Sequence, residues 1–165
     1  MSSVAAALDD AATGAGCVVG VAGEPGIGKT RLARSVIELA AARGFTVLSG
    51  HTPVREMGVA YAPLLEALGG HLRSLDNVGR AALTSGLSEL GLLLGSLVVG
   101  RPEPLADPAL EQARLFEAVA RLVDRLQQQS PMLLFVDDVH EADAASIALL
   151  GSVCRRLSGR VCSSS

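Results

Sequence analysis

The chain has 165 residues, of which 49 % are hydrophobic and 19 % are charged, and its formal net charge is −3. At about 150 residues per domain the length allows one domain, and the shares of apolar and charged residues argue against a disordered chain. The negative charge gives no reason to expect a nucleic-acid-binding surface. The three cysteines match no metal-binding spacing, so we interpret them as reduced thiols.

The first fifty residues predict a strand–turn–helix–strand unit. A short helix over Ser2–Ala12 precedes the Val-rich run CVVGVA at residues 17–22, which is typical of a strand buried on both faces of a parallel sheet. A Gly-rich turn leads into a predicted helix over residues 29–43, which Gly44 would cap. Residues 45–48 predict the second strand, so that the unit is a βαβ crossover.

The middle of the chain is predicted to be helical. Residues 61–75 and 78–99 show a Leu-rich helical periodicity that glycines interrupt. After a loop, Asp107 followed by Pro108 predicts the start of a helix that reaches about Gln129. The predicted apolar stripe of this helix is Leu115, Val119, Leu122 and Leu126, and the arginines predicted to face away are Arg114, Arg121 and Arg125.

The last part of the chain predicts one more strand and one more helix. Residues 131–136, PMLLFV, form a fully apolar run that ends in Asp137 and Asp138. Asp143 then predicts the N-terminal cap of a helix over Ala144–Leu157.

Eight consecutive residues match the phosphate-binding pattern G-x-x-x-x-G-K-[ST] between the first predicted strand and the following helix. They are Gly23, Glu24, Pro25, Gly26, Ile27, Gly28, Lys29 and Thr30. Small residues let backbone N–H groups approach a triphosphate, and the helix N-terminus adds partial positive charge. The chain has 13 arginines and this single lysine, and the strand–turn–helix context disfavours a chance Gly-rich turn.

Each part of this motif has a predicted role in binding ATP with Mg²⁺. We assign the phosphate cradle to the N–H groups of residues 26–29. The Lys29 ammonium is predicted to contact the β- and γ-phosphates, and the Thr30 hydroxyl is predicted to be a Mg²⁺ ligand.

The two carboxylates at the end of the last predicted strand supply the second half of the site. A carboxylate at the tip of a buried strand can hold Mg²⁺ opposite Thr30, and we assign this role to Asp137. Asp138 is the candidate catalytic residue, which would polarise the attacking water. A solvated strand end is the alternative interpretation, and the complete motif upstream disfavours it. His51, after the second strand, is interpreted as a surface histidine.

These elements predict an α/β fold: a parallel-sheet P-loop NTPase core with helices on both faces, in one ATPase domain over residues 1–165. In P-loop ATPases, which this motif resembles, a further strand lies between the strand that bears the motif and the strand that bears the second carboxylate. In this chain that strand would have to follow residue 157. Only residues 159–165 are left to form it, so we expect a C-terminally incomplete sheet and an isolated chain of marginal stability.

The runs GEPGIGKTRLARSVIELAAARGFTVLSGH, GVAYAPLLEALG, ARLFEAVARLV and PMLLFVDDVHEADAASIALL carry a family resemblance. Over residues 14–161 the chain resembles the STAND-group AAA-type ATPase module, as found in large ATP-binding transcriptional regulators of the LuxR type. The resemblance implies an ATP-binding switch whose ATP and ADP forms differ in assembly. It implies the same site residues, Gly23 to Thr30 with Asp137 and Asp138. Many members have Glu where this chain has Asp138, which implies slow hydrolysis.

The sequence thus predicts ATP–Mg²⁺ binding with slow hydrolysis in the switch module of a signalling or transcriptional regulator. Two alternatives remain: a nucleotide-sensing module without turnover, and a nonfunctional remnant of a truncated gene. The predicted partners are ATP or ADP, with self-association or a regulatory protein. The family's later strands, helical lid and helix-turn-helix are not found, so no DNA-binding element is expected. Without a basic start or a long apolar segment, a cytoplasmic location with no membrane partner is predicted.

Overall fold

Helices and parallel strands alternate along the chain. The computed structural model describes residues 2–13, 29–51, 60–100, 102–137 and 139–157. The helices are α1 (Ser2–Ala12), α2 (Lys29–Ala42), α3 (Ala62–Ser74), α4 (Asn77–Thr84), α5 (Gly91–Leu94), α6 (Pro108–Gln129) and α7 (Ala144–Leu157). The strands are β1 (Thr46–His51) and β2 (Met132–Asp137), and single 3-10 turns lie at Ser88–Leu90, Gly95–Leu97 and Val139–Glu141.

The two strands pair in parallel. Thr46 stands opposite Met132 at one end of the ladder, and His51 stands opposite Asp137 at the other. Beside the first pair, the hydroxyl oxygens of Thr46 and Ser130 are hydrogen-bonded at 2.6 Å. The α/β class is therefore confirmed by a parallel pair. The predicted strand at residues 17–22 lies outside the described residues, so the full P-loop core stays a prediction.

Each face of this two-stranded sheet packs against different helices. On one face, Leu48 belongs to the main core, which α3, α6 and α7 complete with leucines and valines. On the other face, Val47 and Leu133 pack against a smaller cluster that contains Leu8 of α1 and Ala40 of α2. Because successive strand residues point to opposite faces, β1 and β2 have helices on both sides, as predicted.

The predicted start signals of α6 and α7 are confirmed. The Asp107 carboxylate accepts a hydrogen bond from the Ala109 N–H at 2.9 Å, with Pro108 at the first helical position. The predicted apolar stripe of α6 is buried: Leu115, Val119, Leu122 and Leu126. The N-terminus of α7 is capped in the same way by Asp143.

The helical periodicity over residues 78–99, which glycines interrupt in the sequence, is divided into short helical segments in the structure. Helix α4 ends at Thr84, and only short helical turns follow it. Gly86 and Gly95 have φ angles of +69° and +53°, a region that side chains with a Cβ rarely adopt. Gly86 therefore follows the end of α4, and Gly95 ends α5 and begins the 3-10 turn after it.

The prediction that Arg125 faces away from the core is wrong. Its Nη1 donates hydrogen bonds to the carbonyl oxygens of Leu83 and Ser85, at 2.6 and 2.9 Å. These carbonyls lie at the C-terminal end of α4, where helix carbonyls have no partner within the helix. Arg125 therefore reaches from α6 to close the end of α4. Arg121 does lie on the exposed face, where it pairs with Glu117 at 3.1 Å.

Candidate functional site

The carboxyl ends of β1 and β2 meet at one edge of the sheet. His51 and Asp137 are the last residues of the two strands and stand opposite each other in the parallel register. In open parallel sheets, ligands bind outside the carboxyl ends of the strands. The structure therefore locates the candidate site at this edge, and Asp137 is the predicted site residue that it places there.

Helix α2 runs back along the sheet toward the same edge. A short turn joins α2 to β1, and in it Gly44 has a φ of +81° and donates its N–H to the Ala41 carbonyl at 3.1 Å. The helix packs against both strands. Its 14 residues extend about 21 Å, and the six residues of each strand extend about 20 Å. We therefore expect Lys29, which opens α2, to lie near the edge at which Asp137 ends β2.

The phosphate-binding motif itself is described only in part. Gly23, Glu24, Pro25, Gly26, Ile27 and Gly28 lie outside the described residues, and so does Asp138. For Lys29 and Thr30 the structure describes the helical backbone and not the side chains. The phosphate cradle and the roles of Thr30 and Asp138 accordingly stay predictions.

The donor chemistry at the edge fits Mg²⁺ bound together with a nucleotide. Mg²⁺ takes hard oxygen ligands, and it commonly uses one or two carboxylates with phosphates and water rather than a complete protein cage. Asp137 supplies one such carboxylate at the end of β2. Among the residues whose placement is described, no three His, Cys, Asp or Glu side chains cluster closely enough to hold a metal by themselves.

His51 is tied to α3 by a residue that the sequence analysis did not single out. One carboxylate oxygen of Glu66, Oε2, accepts the backbone N–H of His51 at 2.7 Å and lies 2.8 Å from its Nδ1. His51 is exposed, in agreement with its interpretation as a surface histidine. Its backbone N–H is nevertheless held by the Glu66 carboxylate. Glu66 lies in the run GVAYAPLLEALG, which is the signal that could have drawn attention to it.

A second anchor joins the start of α3 to the start of α7. The backbone N–H of Tyr61, which immediately precedes α3, donates to the hydroxyl of Ser146 at 2.8 Å. The Ser146 hydroxyl is also hydrogen-bonded to the Asp143 carboxylate, and Ser146 is fully buried. Both Asp143 and Ser146 follow β2 closely in the chain, so this contact links α3 to the segment that leaves the site.

The hydrogen bonds at Asp143 change its acidity. Burial alone would raise the pKa of this carboxyl. The Ser146 hydroxyl and the N–H groups of Ser146 and Ala145 all donate to the ionised form, and together they outweigh burial. The pKa of Asp143 is therefore lowered from its ordinary value, and the cap of α7 is a carboxylate at neutral pH.

A family model described as an AAA ATPase domain matches residues 1–163. No curated protein and no solved structure was found to match the chain. Within the ranges that the structure describes, no helix is long and apolar enough to span a bilayer. The match to the AAA ATPase model covers nearly the whole sequence. The described structure agrees with it, because β1 and β2 are parallel and Asp137 is the last residue of β2. The chain belongs to the AAA ATPase domain family, which implies that it binds nucleotide.

Proposed function

We propose that the chain binds ATP with Mg²⁺ and acts as the nucleotide switch of a signalling or transcriptional regulator. The observation that carries the proposal is the position of Asp137 at the carboxyl edge of a parallel pair. Helix α2, which packs against both strands, begins directly after the glycine-rich residues 23–28. A phosphate-binding turn and a metal-binding carboxylate at one sheet edge are what nucleotide binding needs.

Each residue of the proposed site has one task. The N–H groups of residues 26–29 donate to phosphate oxygens, and the Lys29 ammonium contacts the β- and γ-phosphates. Thr30 and Asp137 would hold Mg²⁺, and the bound ion would neutralise phosphate charge. Asp138 orients and polarises the water that attacks the γ-phosphate.

The identity of residue 138 favours a slow reaction, and it supports a second candidate function. Asp is one methylene shorter than Glu, so its carboxylate reaches less far toward the attacking water. A module that senses ATP and ADP without measurable turnover is therefore the alternative to a slow ATPase. Phosphate release measured at saturating Mg²⁺–ATP, together with nucleotide affinity, separates the two.

Nucleotide affinity of a lysine variant tests the binding proposal. Lys29→Ala removes a charge directed at the phosphates and should weaken Mg²⁺–ATP binding by about 2 kcal/mol, which is about 30-fold in Kd. Isothermal titration calorimetry gives this number. Arg31→Ala is the matched control, because Arg31 is an exposed cation in the same first turn of α2. Equal losses in both variants, or none in Lys29→Ala, would contradict the proposal.

The switch role is supported by the resemblance to the STAND-group module and predicts nucleotide-dependent assembly. We expect the size of the protein in solution, alone or with its regulatory partner, to differ between ATP and ADP. Light scattering after size-exclusion chromatography measures this difference. Lys29→Ala should show the nucleotide-free size in both conditions. A single size for wild type in all conditions would reject self-association as the output.

A further inference from the structure

Tyr61 has a backbone conformation that its surroundings must maintain. Its φ and ψ are 66° and 14°, and among the described residues it is the one non-glycine with a positive φ. Such a conformation is uncommon outside glycine and persists where neighbouring contacts impose it. Two hydrogen bonds hold the Tyr61 backbone: its carbonyl accepts from the Leu65 N–H at 2.9 Å, within the start of α3, and its N–H donates to Ser146 at 2.8 Å, which is the long-range contact.

The hydrogen-bond direction through Ser146 is fixed by its partners. The Tyr61 N–H can only donate, so the Ser146 oxygen accepts from it. The hydroxyl proton of Ser146 is then directed to the Asp143 carboxylate, which can only accept while it is ionised. Because Ser146 is fully buried, water does not replace either bond. We call these three residues the relay: Tyr61, Ser146 and Asp143.

The relay closes a ring of contacts around the carboxyl edge of the sheet. Tyr61 immediately precedes α3, which carries Glu66, and Glu66 holds the backbone and ring of His51. His51 stands opposite Asp137 in the sheet. From Asp137 the chain leads within six residues back to Asp143.

We propose that Ser146 is a positioning residue that couples the start of α7 to the start of α3, so that His51, α3 and the segment after Asp137 shift together. This proposal rests on the proposed function, because the signal that the coupling transmits is the occupancy of the nucleotide site at Asp137. A nucleotide-dependent change at the end of β2 thereby reaches α3 through the relay. No contact between Ser146 and the nucleotide is involved.

Three variants separate this coupling from simple stability. Ser146→Ala removes the buried hydroxyl and leaves the Tyr61 N–H without its acceptor. Asp143→Ser keeps a residue suited to an N-terminal cap but removes the carboxylate that orients Ser146. Asp107→Ser makes the same exchange at the cap of α6 and serves as the matched control, because Asp107 caps its helix without contacting the relay.

Amide hydrogen exchange in the nucleotide-free protein is the first measurement. In Ser146→Ala and Asp143→Ser, we expect the Tyr61 amide to exchange about fivefold faster or more, the change expected from one lost hydrogen bond. The His51 amide, which bonds to Glu66 and not to the relay, should accelerate with it. Asp107→Ser should lower the melting temperature by a comparable amount and leave the exchange rates of both amides unchanged. Acceleration at Tyr61 with unchanged exchange at His51 would overturn the coupling.

ATP affinity measured with Mg²⁺ and with EDTA is the second measurement. Ser146→Ala should bind metal-free ATP as tightly as wild type does. The increase in ATP affinity that Mg²⁺ produces should be several-fold smaller in this variant, because Asp137 is less well positioned. An enhancement equal to that of wild type would overturn the positioning role. Should wild type itself bind no ATP, the proposed function fails, whereas the exchange comparison still decides whether the relay couples α7 to α3.

Discussion

A Cβ atom on Gly50 would lie 2.0 Å from the carbonyl oxygen of Pro63. This distance is far inside van der Waals contact, so the first turn of α3 packs directly on the backbone of β1. Gly50 immediately precedes His51, and the close approach brings α3 near enough for Glu66 to reach His51. A glycine near the end of a strand therefore sets the position of a helix beside the candidate site.

Replacing Gly50 should be costly for stability. Gly50→Ala forces α3 away from β1, and we expect a loss of about 2 kcal/mol or more in the free energy of unfolding. Urea denaturation gives the value. Gly70→Ala is the matched control in α3, where a Cβ meets nothing within 4 Å, and it should raise stability by about 0.5–1 kcal/mol. A Gly50→Ala protein as stable as wild type would contradict the close packing.

The two carboxylates at the end of β2 should have separable effects on nucleotide chemistry. Asp138→Asn should retain Mg²⁺–ATP affinity and lose turnover, because the amide cannot accept a proton from water. Asp137→Asn should instead weaken the dependence of binding on Mg²⁺. Titration calorimetry and phosphate release measure both. Wild-type turnover in Asp138→Asn would show that Asp138 does not polarise the attacking water.

Stability should fall in acid partly through Asp143. Its pKa is lowered in the folded protein from an ordinary value of 3.8, because hydrogen bonds from Ser146 and Ala145 favour the carboxylate. A depressed folded-state pKa contributes stability that is present above the unfolded-state value and is lost as the pH falls through the folded-state pKa. As the pH falls below about 4, the urea concentration at the unfolding midpoint should therefore decrease. The decrease should be smaller in Asp143→Ser than in wild type. If the urea midpoints of the two proteins changed equally with pH, Asp143 would not contribute to the loss of stability in acid.

Arg125 should stabilise the end of α4 rather than act as a surface charge. Arg125→Ala leaves the carbonyls of Leu83 and Ser85 without their donor, and we expect a loss of about 1–2 kcal/mol. Arg114→Ala is the control, because Arg114 is exposed on the same helix, and it should change stability by less than about 0.5 kcal/mol. Thermal unfolding of both variants measures the difference, and equal melting temperatures would contradict the capping role.

The sequence predicted the elements whose ends carry local signals. Asp107 with Pro108 and Asp143 each mark a helix start by a side chain that bonds its own following backbone, so nearby residues suffice to define them. The parallel strand at residues 132–137 was equally evident from its unbroken apolar run. The strand-end position of Asp137 followed directly from it.

Features that depend on distant partners were not predictable in the same way. Strand β1 extends through Ser49, Gly50 and His51, which resemble a loop in the sequence because the glycine is explained only by the approach of Pro63. The Arg125 side chain turns inward because it bonds to the carbonyls of Leu83 and Ser85, which are 42 and 40 positions away in the chain. The Tyr61–Ser146 hydrogen bond spans 85 positions, and nothing local in either segment indicates it.

The sheet edge that holds Asp137 is assembled from parts that are distant along the chain, which has a kinetic consequence. Thr46 and Ser130, which meet at the start of the parallel pair, are 84 residues apart, and closing a flexible loop of this length costs roughly 4 kcal/mol in entropy. Helices α3 to α6 lie within that loop and need only near neighbours to begin forming. We expect them to form first and the strands to join late. Gly50→Ala should then mainly accelerate unfolding in stopped-flow experiments and leave the refolding rate almost unchanged.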